Sequence, residues 1–389
     1  MKYLYLETLS DFECIGDKCE FTCCGGGWGI IIDKETDTYY RSVTGEMGDR
    51  LNKCIRRDGD KSSFILDEHG NCPFLNEKGL CDIYINLGEE HLSNTCTYYP
   101  RYTFYSGDIC FGGVSISCPE VARFFLTHKD PLLIDYAEDD KTLSAEEEQS
   151  TDWVLFNNAI HVLTSSVDII QNRNLSIRER LSLVILFVDQ FQKNTDACQD
   201  VSTLIKVFSS PSEYTQLLAQ ANTPQRDYSS KIDYCSEFLT IFSQTDRFEE
   251  RLPEIFDLVS YFSKDENASF DLEKWSKAFD QVYSDDYSVW KENILIYIIF
   301  RYFMQGFAKK DFYNSLMTGI NAIYNICIFD LALYHIKNGA VPQNTDYMIM
   351  LTAHISRMVE HCTDFRNDVF KHFLDKNMND MPFLLRLIS

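Results

Sequence analysis

From Trp153 onward, apolar residues recur at three- and four-residue spacing, the pattern of helices that each bury one face. Ser176-x-x-Glu179 is a capping box in front of such a run and predicts a helix over 177–191. The same spacing predicts helices over 201–208, 212–220, 231–242, 248–262, 272–283, 288–304, 312–337, 346–362 and 365–374. Gly306 and Gly339 stand where helix C-caps belong. Strands do not alternate with these helices, which argues against a doubly wound sheet and for a helical bundle or stacked array.

The first 130 residues read differently. Short β-like runs occur at 28–33 and 63–67, each bounded by Gly or charged residues. Residues 71–81 read as a loop returning to Cys81, followed by a short helix over 82–87. Pro119 directly follows Cys118, and Pro favours the first helical position, so a helix is expected over 120–127 with Cys118 near its cap. A thiol there feels the positive end of the helix dipole, which favours the thiolate. Acidic runs at 138–140 and 146–148 mark a solvated connector. The expected fold is therefore mainly α: a small irregular α+β head over 1–137, an acidic linker over 138–152, and a large helical part over 153–389. A subdomain break is expected near 264–286.

Cysteine placement sharpens the contrast. Ten of the fourteen cysteines lie between Cys14 and Cys118, and four open the chain as Cys14-x4-Cys19-x3-Cys23-Cys24. The start, MKYLYLETLSDFEC, has no apolar core and no small-residue cleavage site, so it does not read as a secretory signal. No stretch is long enough for a membrane span. A cytoplasmic protein keeps its thiols reduced, which favours metal or cluster ligation over disulfides. The strongest candidate ligands are Cys14, Cys19, Cys23, Cys24, Cys72, Cys81, Cys96 and Cys118; Cys54 and Cys110 fit less well. Four thiolates suffice for tetrahedral zinc or for a 4Fe–4S cluster. The spacing matches neither a zinc ribbon nor the bacterial ferredoxin run, so the identity of the metal stays open. Gly25, Gly27 and Gly29 lack the preceding strand and following helix of a nucleotide loop and fit a close backbone approach instead.

The net charge of -23, with no Lys/Arg cluster, argues against nucleic acid as partner and suits a positively charged one. Solubility alone accounts for that charge equally well.

Several motifs carry a resemblance. Cys14-Ile15-Gly16, Cys19-Glu20 and Thr22-Cys23-Cys24, followed by Gly27-Trp28, resemble the opening of the flagellin lysine-N-methylases. So do Cys72-Pro73-Phe74-Leu75-Asn76, Gly79-Leu80-Cys81-Asp82, Thr95-Cys96, Tyr99-Pro100-Arg101 and Ser117-Cys118-Pro119-Glu120. In the helical part, Glu292-Asn293, Tyr297, Arg301-Tyr302-Phe303 and Glu360-His361 agree more loosely. The extra glycines before Trp28 depart from the family pattern. The resemblance implies methyl transfer from S-adenosylmethionine to surface lysines of flagellin, with a 4Fe–4S cluster in the head and zinc as the alternative.

That chemistry selects candidate residues. A lysine ammonium, with a pKa of about 10.4, must lose a proton before it attacks. Glu360, His361 and Tyr302 are candidates to handle that proton. Aromatic walls could align cationic groups, though the sequence does not single out which of the 22 Tyr and 28 Phe form them; Trp28, with core packing as its default role, and Tyr99 are candidates for binding the cofactor. Arg101 is a candidate for the donor's carboxylate, or else a turn residue paired locally. Asn293 and Arg301, eight apart on one helix, share a face and so share a cleft or an ordinary polar stripe. The competing reading is a non-enzymatic metal-binding module with a helical scaffold for partners.

Overall fold

The computed structural model describes residues 2–6, 12–19, 22–25, 28–106, 109–138, 152–220, 228–242, 286–323, 345–361, 363–380 and 383–384. It is mainly helical, and among the described residues its sheets lie within Lys2–Glu138.

Capping and burial explain the helical part. Helix α6 (Trp153–Gln171) starts where Asp152 accepts from the Leu155 amide, and α7 (Ile177–Asp196) starts at the Ser176–Glu179 capping box, present in full. Three further helices follow: α8 (Ser202–Phe208), α9 (Pro211–Gln220) and α10 (Tyr228–Phe242). Helix α11 (Asp286–Tyr302) is apolar nearly all round from Ile294 to Phe300, and every one of those side chains is buried. A helix without a polar face belongs in the centre of a core, and α11 packs against α5 (Pro119–Thr127), α6 and α12 (Phe312–Ile323). Gly319 on α12 faces the Tyr302 ring so closely that a Cβ would lie 2.6 Å from it. Helix α13 (Thr345–His361) packs on α5, and α14 (Thr363–Asp375) packs on α10, α12 and α13.

The N-terminal third holds β1 (Lys2–Leu6), β2 (Ile31–Ile32), α1 (Lys34–Ser42), α2 (Gly45–Cys54), β3 (Ile55–Asp58) and β4 (Lys61–Phe64). These are followed by α3 (Asp82–Leu87), α4 (Asn94–Tyr98), β5 (Arg101–Ser106), β6 (Ile109–Val114), α5 (Pro119–Thr127) and β7 (Ile134–Glu138). One sheet has the order β5-β6-β1-β7, with β1 parallel to β6 and antiparallel to β7. The other, β2-β4-β3, is antiparallel throughout. Apolar side chains form two clusters. The larger joins the first sheet and α5 to the helices, through Leu4, Leu6, Phe111, Val114, Val121 and Phe125. The smaller gathers Ile30, Tyr40, Leu51, Phe64, Phe74 and Ile83, with Cys24, Cys72, Cys81 and Cys96 against it.

Several expectations needed correction. The run at 28–33 pairs over only Ile31–Ile32, and that at 63–67 over Lys61–Phe64. The four-stranded sheet and helices α1 and α2 were not anticipated. Gly306 is no C-cap. It is buried inside a 3-10 turn (Phe303–Lys309), where a Cβ would meet the Asp311 carbonyl oxygen at 2.5 Å, and Lys310 supplies the left-handed residue, φ 54°. Gly339, the helices expected over 248–262 and 272–283, residues 324–337, most of the acidic connector and the break near 264–286 lie outside the described residues.

Candidate functional site

The head's cysteines converge from separate elements. The Cys72 amide donates to the Cys24 carbonyl at 2.7 Å, joining the first cysteine run to the 72–81 loop. Gly25 permits that approach, since a Cβ there would lie 3.0 Å from Asn71 Oδ1. Asn76 closes the loop, its Oδ1 accepting from the Lys78 and Leu80 amides at 3.0 Å each. Cys81 then caps α3, Cys96 sits in α4 beneath the Ser93 cap, and Cys118 caps α5.

All described cysteines are free thiols. Cys14 is exposed, with only the Gly16 amide on its sulfur at 3.4 Å. Cys23, Cys72, Cys81, Cys96 and Cys118 each feel a neighbouring cysteine or burial. The Cys23 proton is held on first by its hydrogen bond with Cys24, then by burial and the Cys24 charge, against the pull of Arg357. Burial pushes Cys72 up to about 12, with the charges of Cys96, Cys81 and Cys23 adding to it. Burial likewise raises Cys81, and lifts Cys96 to about 11, each with Cys23 as a neighbour. Cys118 is lifted to about 11 by burial, which outweighs the Val121 and Glu120 amides of its helix N-terminus. The dipole argument thus had the right sign for the amides and the wrong winner. As donors, thiols crowded with their own charges suit a metal or a cluster, which supplies the missing positive charge. Among the described residues, no three His, Cys, Asp or Glu side chains are drawn tightly enough together to hold a metal ion as they stand.

Beside these thiols lies a buried polar network built from both halves of the chain. Trp28 donates its indole N–H to the Cys23 carbonyl at 2.7 Å, and its ring lies 4.7 Å from Tyr99 and 4.3 Å from His361. His361 Nε2 is 2.8 Å from Ser117 Oγ, which also meets the Tyr99 hydroxyl at 3.1 Å. Ser117 Oγ is 2.6 Å from Ser115 Oγ, and Ser115 donates to Glu360 Oε2 at 2.5 Å. Tyr297 and Ser356 donate to Glu360 Oε1 at 2.7 and 2.9 Å. Arg301 Nη2 lies 3.0 Å from Glu360 Oε2, and the Glu360 side chain is wholly buried. Burial opposes the Arg301 charge, but Glu360 holds its proton far above the usual range. Arg301 also stacks over Tyr102 at 3.9 Å. One turn before His361, Arg357 Nε donates to the Ser117 carbonyl at 3.0 Å.

The network includes Glu360, His361, Arg301, Trp28 and Tyr99 among the sequence candidates. Tyr302 lies against it, buried, with its phenol raised to about 12 by burial and the Glu360 charge and its hydroxyl unbonded. Arg101 stands apart: it is exposed and donates to the Phe12 carbonyl at 2.5 Å. Asn293 bonds the Phe125 and His128 carbonyls at 2.8 Å each and so closes the C-terminus of α5. Sharing a helix face with Arg301 does not bring it to the same site. Sequence reasoning passed over Ser115, Ser356 and Arg357, and it met Ser117 and Tyr297 only inside family motifs, without a site role. Tyr297 carried a usable signal, as a hydroxyl inside an otherwise apolar buried helix.

Burial lowers the His361 pKa to about 4; Glu360 opposes that shift, while Arg301 and Arg357 reinforce it. The imidazole is therefore neutral at neutral pH. Burial also keeps the Tyr99, Tyr102 and Tyr297 phenols protonated.

A family model described as the FliB lysine N-methylase C-terminal domain matches residues 164–387. Tyr297, Arg301, Glu360 and His361 fall inside that match, and the cysteine-rich head falls outside it. Lysine-N-methylase of Salmonella choleraesuis (strain SC-B67) is 31% identical over 135 residues, 32% of this chain and 33% of that protein. The lysine-N-methylase of Salmonella typhimurium (strain LT2) shows the same identity and coverage. The flagellar biosynthetic protein FliU of Salmonella muenchen is 30% identical over 135 residues, 32% of this chain and 78% of that protein. The matched stretch spans about a third of the length of the two methylases. No solved structure matches the chain. Because the family model covers more than half of its residues, the chain belongs to the FliB lysine N-methylase family.

Proposed function

We propose that this chain is a cytoplasmic protein-lysine N-methyltransferase that moves a methyl group from S-adenosylmethionine to surface lysines of flagellin. The observation that carries the reading is the meeting of Glu360 and His361, from the family's helical part, with Trp28, Tyr99 and Ser117 beside Cys23. The names of the relatives, two lysine-N-methylases and a flagellar biosynthetic protein, support the same chemistry.

The environment suits the first requirement of that reaction, a neutral amine. Burial, Arg301 and Arg357 together drive His361 to its uncharged form. A lysine side chain placed against His361 meets the same desolvation and the same two cations, which lower its pKa from about 10.4 toward neutrality. Trp28 and Tyr99 supply π-faces for an ammonium or a sulfonium group. The net charge of -23 attracts lysine-bearing partners at long range. Arg101, committed to the Phe12 carbonyl, takes no part in this arrangement.

Cys23, Cys24, Cys72, Cys81 and Cys96, whose thiols feel one another's charge, would form the donor set for a 4Fe–4S cluster or zinc once drawn together, with Cys19 and Cys118 at its margin. A centre bound there would supply positive charge and fix the head against α13.

The test is incubation of anaerobically purified protein with methyl-labelled S-adenosylmethionine and unmethylated flagellin. Label in flagellin lysines, found by peptide mass spectrometry, supports the reading. Protein that retains bound iron or zinc and transfers no label would instead be the metal-binding scaffold.

A further inference from the structure

The hydroxyls between Glu360 and His361 form a chain whose proton directions are forced. A carboxylate paired with an arginine only accepts hydrogen bonds. The 2.5 Å contact from Ser115 Oγ to Glu360 Oε2 therefore uses the Ser115 proton. The 2.6 Å contact between the two serines must then use the Ser117 proton. Ser117 Oγ is left with lone pairs only, one for the Tyr99 hydroxyl at 3.1 Å and one for His361 Nε2 at 2.8 Å. The hydrogen on that last contact has to come from the imidazole.

We infer that Glu360, acting through Ser115 and Ser117, fixes His361 in the Nε2–H tautomer and so makes Nδ1 a hydrogen-bond acceptor for the N–H of a substrate lysine amine. Ser115 and Ser117 are then positioning residues, acting through His361. This inference rests on the lysine-methylase reading for the identity of the ligand, whereas the tautomer stands on the hydrogen-bond geometry alone.

Two observations favour an accepting role over that of a general base. Nδ1 has no hydrogen-bond partner among the described residues and is not among the buried unpaired atoms, so solvent or a ligand can reach it. The imidazole also protonates only near pH 4, so it is a poor home for a proton from an ammonium whose pKa, even lowered toward neutrality, stays above that. What such an imidazole can do is orient an amine that has already lost its proton, with the Trp28 ring fixing the imidazole plane. The serines carried no sequence signal for this, since they lie 245 and 244 residues from their partners.

The experiment uses the full chain labelled with 15N-histidine. Long-range proton–nitrogen correlation spectra are recorded at pH 7, with the His361 signals assigned by their loss in His361→Gln. The wild-type spectrum is expected to show the Nε2–H pattern for His361. Ser117→Ala should turn it into a mixture of tautomers, and Ser117→Thr, which keeps the hydroxyl, should restore it. With flagellin as substrate, Ser117→Ala should raise KM about tenfold, the scale of one hydrogen bond, and change kcat by less than about twofold. An Nδ1–H pattern in the wild type, or a pattern unchanged by Ser117→Ala, overturns the inference. A changed pattern with unchanged KM overturns the role toward the amine. If the chain transfers no methyl group at all, the methylase reading fails, and the spectra still decide the tautomer.

Discussion

Replacing Glu360 with Gln isolates the charge at the centre of the buried network. The carboxylate is fully buried and holds Arg301 at 3.0 Å, Ser115 at 2.5 Å, Tyr297 at 2.7 Å and Ser356 at 2.9 Å. Glutamine keeps the shape. It leaves the Arg301 guanidinium, only 11% exposed, without a counter-charge. It also turns an NH2 group toward hydroxyls that were donating. Removing one partner of a buried ion pair costs about 3–5 kcal/mol, against about 0–1 kcal/mol at the surface. We expect Glu360→Gln to fall in the upper range. The assay is urea unfolding followed by far-ultraviolet circular dichroism and by tryptophan fluorescence, whose coincidence justifies a two-state treatment. In the double variant Arg301→Met, Glu360→Gln the stranded charge is gone, so a coupling energy of about 2–3 kcal/mol should return. A loss below about 1 kcal/mol for Glu360→Gln, or strictly additive effects in the cycle, would show that the pair is not desolvated and would refute the reasoning.

Other outcomes follow from the same contacts. Asn293→Ala strips the Phe125 and His128 carbonyls of their donor and should cost about 1–3 kcal/mol of stability, measured by the same unfolding assay. His361 should titrate near pH 4 by NMR in the folded chain, against about 6.5 unfolded. The folded state then binds fewer protons than the unfolded state between those values, so stability falls as pH drops through that window, and His361→Gln should flatten the fall. Cys72→Ser should lower the iron or zinc recovered with the protein by about half or more, because Cys72 sits among Cys96, Cys81 and Cys23. Cys54→Ser should leave metal content unchanged.

Helices α5, α7 and α11 were legible because each carries its own evidence: the Pro119 start, the Ser176 capping box and the apolar run of α11 are local signals. The first sheet was not, because its pairings are remote. Lys2 meets Ile109 on one side and Glu138 on the other, and nothing within Lys2–Leu6 specifies those partners. The density of cysteines in the head was legible, whereas their protonation was not, since burial outweighs the helix amides at Cys118. Glu360 and His361 were found through a family pattern. Ser115 and Ser117 gain their meaning only when α13 packs on α5 and sets a carboxylate and an imidazole at either end of a two-serine bridge. Arg101 and Asn293 misled for one reason: an arginine near a cysteine, or an amide on the right helix face, says nothing about which backbone carbonyl will claim it.

That the cysteine-rich head and the helical part build one site rests on the contact between Trp28 and His361, whose ring centroids are 4.3 Å apart. A double-mutant cycle of Trp28→Ala and His361→Ala, read by urea unfolding, measures that contact without any cofactor or substrate. A coupling energy of about 0.5–1.5 kcal/mol, the size expected of packed aromatic rings, is the predicted result. Effects that simply add would place the two residues in separate neighbourhoods and contradict the shared site.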